Sequence, residues 1–135
     1  MPTSFSHRAL DLKPDRPLVF TALSKHLFYY RMFISKFVLE QGGMPMNPFM
    51  LFDYFMLDTL DRDIVRQANN TAVSRSDELW VFGPVSDGVL AEVKQAKAIK
   101  KPVRYFSVNH NTGIKECQPA EVEMEDEVAE FRDQL

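Results

Sequence analysis

The sequence predicts an α/β fold, a three-layer α-β-α sandwich built on a mainly parallel sheet of four or five strands. Three observations carry this expectation. Strand-like runs recur at 17–22 (PLVFTA), 79–82 (LWVF) and 103–108 (VRYFSV), and the first two are continuously apolar, as in strands buried on both faces. Segments of helical periodicity separate them. Gly and Pro punctuate the joins at Gly42-Gly43, Gly83-Pro84 and Lys101-Pro102. Strands alternating with helices form right-handed crossovers, which place helices on both faces of one sheet.

The elements follow in order. Residues 1–16 read as a polar arm, and 17–135 as one domain. After the first strand, 23–26 make a turn. A helix is expected over 27–41, with Phe28, Met32, Ser35 and Leu39 on one stripe and Gly42-Gly43 ending it. Residues 44–49, with two prolines, make a brief strand running into a loop. A short helix is expected over 50–57. Asp58 to Asp61 supply caps for the next helix, whose apolar side is Ile64, Val65, Ala68, Ala72 and Val73. The strand 79–82 leads to Ser86-Asp87-Gly88, which opens a helix carrying Val89, Val93, Ala96 and Ile99 inward, with Asp87 as a candidate cap. The strand 103–108, a turn at 109–113 and a short edge strand at 114–117 come next. Pro119 is expected to start a last acidic helix, with Val122, Val128 and Phe131 packing on the body.

Composition narrows the function classes. The net charge of −3 and pI near 5.6 give no footprint for nucleic acid, and Lys94, Lys97, Lys100, Lys101 and Arg104 fit a solvated helix face. The single Cys117 permits no internal disulfide, no apolar run is long enough to cross a bilayer, and the first residues lack a secretory signal's apolar stretch. A cytoplasmic protein that contacts neither nucleic acid nor membrane is therefore expected. Three scattered His and one Cys make no metal-ligand spacing, and there is no Ser-His-acid order and no Gly-rich phosphate fingerprint. No metal or other cofactor is called for. The Phe- and Met-rich stretch 28–56 reads as core or as the interface of a homo-oligomer.

In open α/β sheets, ligands bind outside the carboxyl ends of the strands, where the strand order switches. Those ends are 22–26, 47–49, 83–88 and 107–110. Glu92 lies about one turn beyond Gly88. Ser24, Lys25 and Ser86 at helix starts could meet a phosphate, although Ser there is also an ordinary cap.

The stretch 17–106 resembles the nucleoside 2-deoxyribosyltransferase-like superfamily. Its matching elements are the strand 18–22 with its small-residue loop, Gly43 before MPMNPF, the block Ser76-Asp77-Glu78-Leu79-Trp80-Val81-Phe82, and Asp87-Gly88 followed by Glu92, Ala96 and Lys101-Pro102-Val103. The resemblance implies a flavodoxin-like (Rossmann-like) sheet. It implies N-glycosidase or deoxyribosyltransferase activity on a nucleoside or nucleotide. Glu92 would then be the nucleophile, Asp77 the acid facing the base, and Asp87 a sugar contact. Gly88, Ser86, Ala22, Ser24, Asn47 and Phe49 complete the expected substrate site. Two departures are the absence of an aromatic residue in 21–24 and Lys94 where many relatives have Gly. The alternative is a non-catalytic nucleotide-binding or oligomeric interaction module on the same fold.

Overall fold

A computed structural model describes residues 3–53 and 56–135. Five strands form one sheet: β1 (Leu18–Leu23), β2 (Met44–Met46), β3 (Glu78–Phe82), β4 (Val103–Asn109) and β5 (Gly113–Cys117). Their order across the sheet is β2-β1-β3-β4-β5. The first three pairings are parallel, and β5 runs antiparallel along the edge of β4. The helices are α1 (Arg31–Glu40), α2 (Pro48–Leu51), α3 (Arg62–Arg75) and α4 (Asp87–Ala98).

The side-chain alternation of the strands divides the core into two layers. Phe20, Ala22, Leu79, Val81 and Tyr105 face α3 and α4, meeting Val73, Val89, Leu90, Val93 and Ala96. Val19, Leu23, Trp80, Phe82 and Phe106 face α1, meeting Ile34 and Val38. The fold is thus the three-layer α-β-α sandwich. Phe37 sets its ring edge against Trp80, Phe82 and Phe106, and Phe82 stacks on Phe106. Among the described residues, no helix is long and apolar enough to cross a membrane.

Several local expectations change. The helix predicted over 27–41 begins as a 3₁₀ turn, Lys25–Tyr30, before α1. The stripe that α1 buries is Ile34, Ser35 and Val38, while Met32 and Leu39 stay exposed. The helix expected over 50–57 is α2 followed by a 3₁₀ turn at Met56–Thr59, and residues 54 and 55 lie outside the described residues. Ile64 on α3 and Ile99 after α4 are exposed rather than packed. The cap of α4 is Ser86, whose Oγ accepts from Val89 N at 3.3 Å; Asp87 is the first helical residue.

The C-terminal segment departs most. Instead of a helix from Pro119, the chain turns and forms a parallel bridge between Val85 and Met124, then a 3₁₀ helix at Asp126–Gln134. Arg132 ties this segment together by donating to the carbonyls of Pro119, Ala120 and Val122 at 2.9–3.0 Å. Val122 and Val128 enter the core beside α4.

Gly42 takes the left-handed φ of +94° that ends α1. Gly43 has a different task. A Cβ there would stand 2.9 Å from Val19 Cγ2 and 3.0 Å from Val38 Cγ1, both fully buried. Gly43→Ala is therefore expected to destabilise by about 1–2 kcal/mol through overpacking. Urea unfolding should show a lower midpoint with an unchanged slope.

Candidate functional site

The strand order reverses direction between β1 and β3, and their carboxyl ends open on a pocket of about 510 Å³. That volume suits a small-molecule ligand. Leu23, Ser24, Lys25 and His26 line it from the loop after β1, and Pro48 and Phe49 from α2. Arg62 and Asn69 of α3 and the start of α4 from Ser86 to Val89 form further walls. Glu92 reaches it from the next turn of α4, and Glu125 and Glu127 from the C-terminal segment.

Glu92 is the residue that chemistry singles out. It is only 9% exposed, and its Oε2 accepts from Asn69 Nδ2 at 2.5 Å. Burial pushes its carboxyl up from the ordinary 4.5 to about 7, against the opposing effect of the Asn69 hydrogen bond. A carboxyl so placed exchanges its proton near neutral pH, which suits acid, base or nucleophilic work.

The structure brings Glu92, Asp87, Gly88, Ser86, Ser24 and Phe49 to this pocket. Ser24 is nearly buried, and its Oγ accepts from His26 N at 3.2 Å, which shapes the loop after β1. Asp87 Oδ1 accepts from Gly88 N at 2.7 Å. Lys94 turns away to the C-terminal segment, where Nζ donates to Gln134 Oε1 at 2.7 Å.

Three expected site residues lie elsewhere. Asp77 is a correction with consequences for mechanism. It precedes β3, at the amino end of the sheet, so the strand's five residues separate it from the pocket by about 16 Å. There its Oδ2 accepts from Leu18 N and its own N donates to Leu18 O, both at 2.7 Å. It fastens β1 to β3 and cannot face a base in the pocket. Asp77→Ala is expected to cost about 1 kcal/mol, read by urea unfolding, with ligand affinity unchanged.

Ala22 is fully buried in the sheet layer facing α4. Asn47 is also buried, with Nδ2 donating to Arg31 O and Ser35 Oγ and Oδ1 accepting from Phe49 N. It caps α2 and so positions Phe49 without lining the pocket itself.

Asn69, His26 and Glu125 are the site residues that pattern reading missed. Asn69 had a signal: it falls four residues after Val65 and four before Val73, a polar residue within an apolar stripe. His26 falls within the strand end 22–26, but nothing in the local pattern separates it from a turn residue that caps or packs. Glu125 had no signal, because only the return of the chain at the Val85–Met124 bridge brings it here.

A second hollow, of about 340 Å³, lies on the α1 side between Phe33, Phe37, Val108 and Ile114. Its charged groups, Lys36 and Glu40, are exposed, and it holds no buried carboxyl.

A family model described as a domain of unknown function (DUF7768) matches residues 22–106. That span runs from β1 to β4 and includes every lining residue of the larger pocket except Glu125 and Glu127. No curated protein matches the chain.

Proposed function

The chain belongs to the DUF7768 family, and from its pocket we propose that it cleaves or transfers the N-glycosidic bond of a nucleoside or nucleotide, with Glu92 as nucleophile. The observation that carries this reading is a buried, Asn69-held carboxyl opening on a pocket at the sheet's switch point. The resemblance to the nucleoside 2-deoxyribosyltransferase-like superfamily supports it.

The chemistry follows from the groups present. Breaking an N-glycosidic bond builds positive charge at the anomeric carbon. A carboxylate beside that carbon stabilises the charge or bonds to it, splitting one difficult step into two. Asn69 fixes the Glu92 carboxyl in one orientation, so less ordering is needed at the moment of reaction. Asp87 is placed to accept from sugar hydroxyls, and Phe49 offers an apolar wall to a base. Lys25, Arg62 and the N–H groups at the start of α4 suit a phosphate, which favours a nucleotide. Self-association belongs to the same proposal, because Tyr29, Met32, Phe33, Met44 and Met50 leave large apolar surfaces exposed; sedimentation velocity reads it.

The test is a panel of nucleosides and nucleoside monophosphates scored for free base by chromatography. Glu92→Ala is expected to lose at least about a thousand-fold in release. Release that survives the substitution unchanged removes Glu92 from the mechanism. Thermal stabilisation by nucleotides without release from any substrate would favour the binding-module reading instead.

A further inference from the structure

With Asp77 at the far end of the sheet, the site needs another group to protonate the departing base. We propose that His26, oriented by Glu125, is that proton donor. This rests on the glycosidic reading of the pocket and supplies its missing half.

Both residues line the same pocket as Glu92. His26 Nε2 lies 3.3 Å from Glu125 Oε1. Each comes from a segment fixed by its backbone. Ser24 Oγ accepts from His26 N, and Ser24 O accepts from Leu27 N at 3.0 Å. Glu125 N donates to Val85 O at 2.9 Å, and Val85 N donates to Glu123 O at 2.8 Å. The pair therefore spans two elements that meet only in the folded chain, the loop after β1 and the C-terminal segment. Glu125 Oε2 is enclosed and has no hydrogen-bond partner among the described residues. Among the described residues, the His26 ring is the one charged group paired with this carboxylate. A carboxylate on one ring nitrogen fixes the ring's orientation and leaves the other nitrogen to exchange a proton with substrate.

As the C1′–N bond breaks, its electron pair passes to the base nitrogen, which takes the proton from Nδ1 of the protonated His26 ring. The Glu92 carboxylate bonds to C1′. Water then displaces Glu92 at C1′ and gives a proton to Nδ1, so base and free sugar leave and both side chains are restored. In transfer, an incoming base replaces the water and its N–H proton goes to Nδ1. His26 is the catalytic group and Glu125 a positioning residue. Lys25, Arg62, Asp87 and Glu127 are the other charged groups around the pocket.

The experiment uses two kinds of substrate. Natural nucleosides and nucleotides need a proton on the leaving base. The 4-nitrophenyl ribosides and deoxyribosides release a stable phenolate and need none. His26→Gln is expected to lose about a hundred-fold or more in base release, while the first-turnover burst of nitrophenolate, which precedes the step in which His26 takes a proton from water, stays within about three-fold of wild type. Glu125→Gln should follow the same pattern with a smaller loss, and Glu92→Ala should lose both activities. Melting temperatures of all variants register any unfolding. Equal loss of base release and of the first-turnover nitrophenolate burst in His26→Gln, or loss of neither, would overturn the proton-donor role while leaving Glu92 in place. Failure of the wild-type protein to release either leaving group would overturn the glycosidic reading and this proposal together.

Discussion

Replacing Glu92 by Gln is expected to stabilise the protein, and by far more at pH 8 than at pH 4. Glutamine keeps an oxygen for the Asn69 amide but never ionises. The wild-type carboxyl titrates at about 7 in the folded protein, against an ordinary 4.5, because burial disfavours its charge. The folded state therefore holds this proton more tightly than the unfolded chain does. Below about pH 4.5 both states are protonated and the favourable contribution is fully present. As pH rises through 7 that contribution is lost, because the folded protein must now bury a carboxylate. A displacement of this size corresponds to about 3 kcal/mol. The stability difference between Glu92→Gln and wild type should grow by about that amount between pH 4 and pH 8. Urea unfolding of both proteins at the two pH values reads it, and comparison at each pH cancels the other titrating groups. An equal difference at both pH values would mean that Glu92 ionises as it does in water.

Gly83→Ala is expected to cost about 2–3 kcal/mol and to weaken any activity that depends on Glu125. A Cβ at position 83 would stand 2.8 Å from Val122 Cγ2 and 3.2 Å from Glu123 O. Val122 is fully buried, and the second contact is backbone, so neither can swing aside at small cost. The strain is relieved only by moving the segment that forms the Val85–Met124 bridge, and Glu125 moves with it. Hydrogen exchange should show faster opening at the amides of Val85 and Glu125, both bonded across the bridge. Unchanged protection there would show that the segment is held independently of its fit against Gly83. Gly43→Ala makes a useful control, since it crowds the opposite layer of the core and leaves the bridge alone.

The parts of the molecule that are legible in sequence are those specified by local pattern. PLVFTA and LWVF are apolar enough to read as buried strands, and Ser86 begins a helix where a cap should stand. These two strand ends and that helix start are three walls of the pocket, which is why Ser24, Ser86, Asp87, Gly88 and Glu92 could be named from sequence. What stayed hidden depends on contacts distant along the chain. Asp77 looks like a site acid because it precedes β3, yet preceding a strand places it at the amino end, where it binds Leu18. Asn47 looks like a loop residue at a strand end, but its amide is used up by Arg31, Ser35 and Phe49. The acidic run at 121–127 has the composition of a solvated helix, and only the bridge to Val85 turns Glu125 inward. Met32 and Leu39 share a helical stripe, but α1 meets the sheet through Ile34 and Val38, whose branched side chains pack against Val19, Trp80 and Phe82.

Glu92 is a buried carboxyl at the pocket wall, and its chemistry turns on where it titrates. Its carboxyl carbon can be followed by ¹³C NMR across pH, with the resonance assigned by its absence in Glu92→Gln. A midpoint near 7 is the predicted result, and a midpoint near 4.5, the ordinary value for a solvated glutamate, would contradict it.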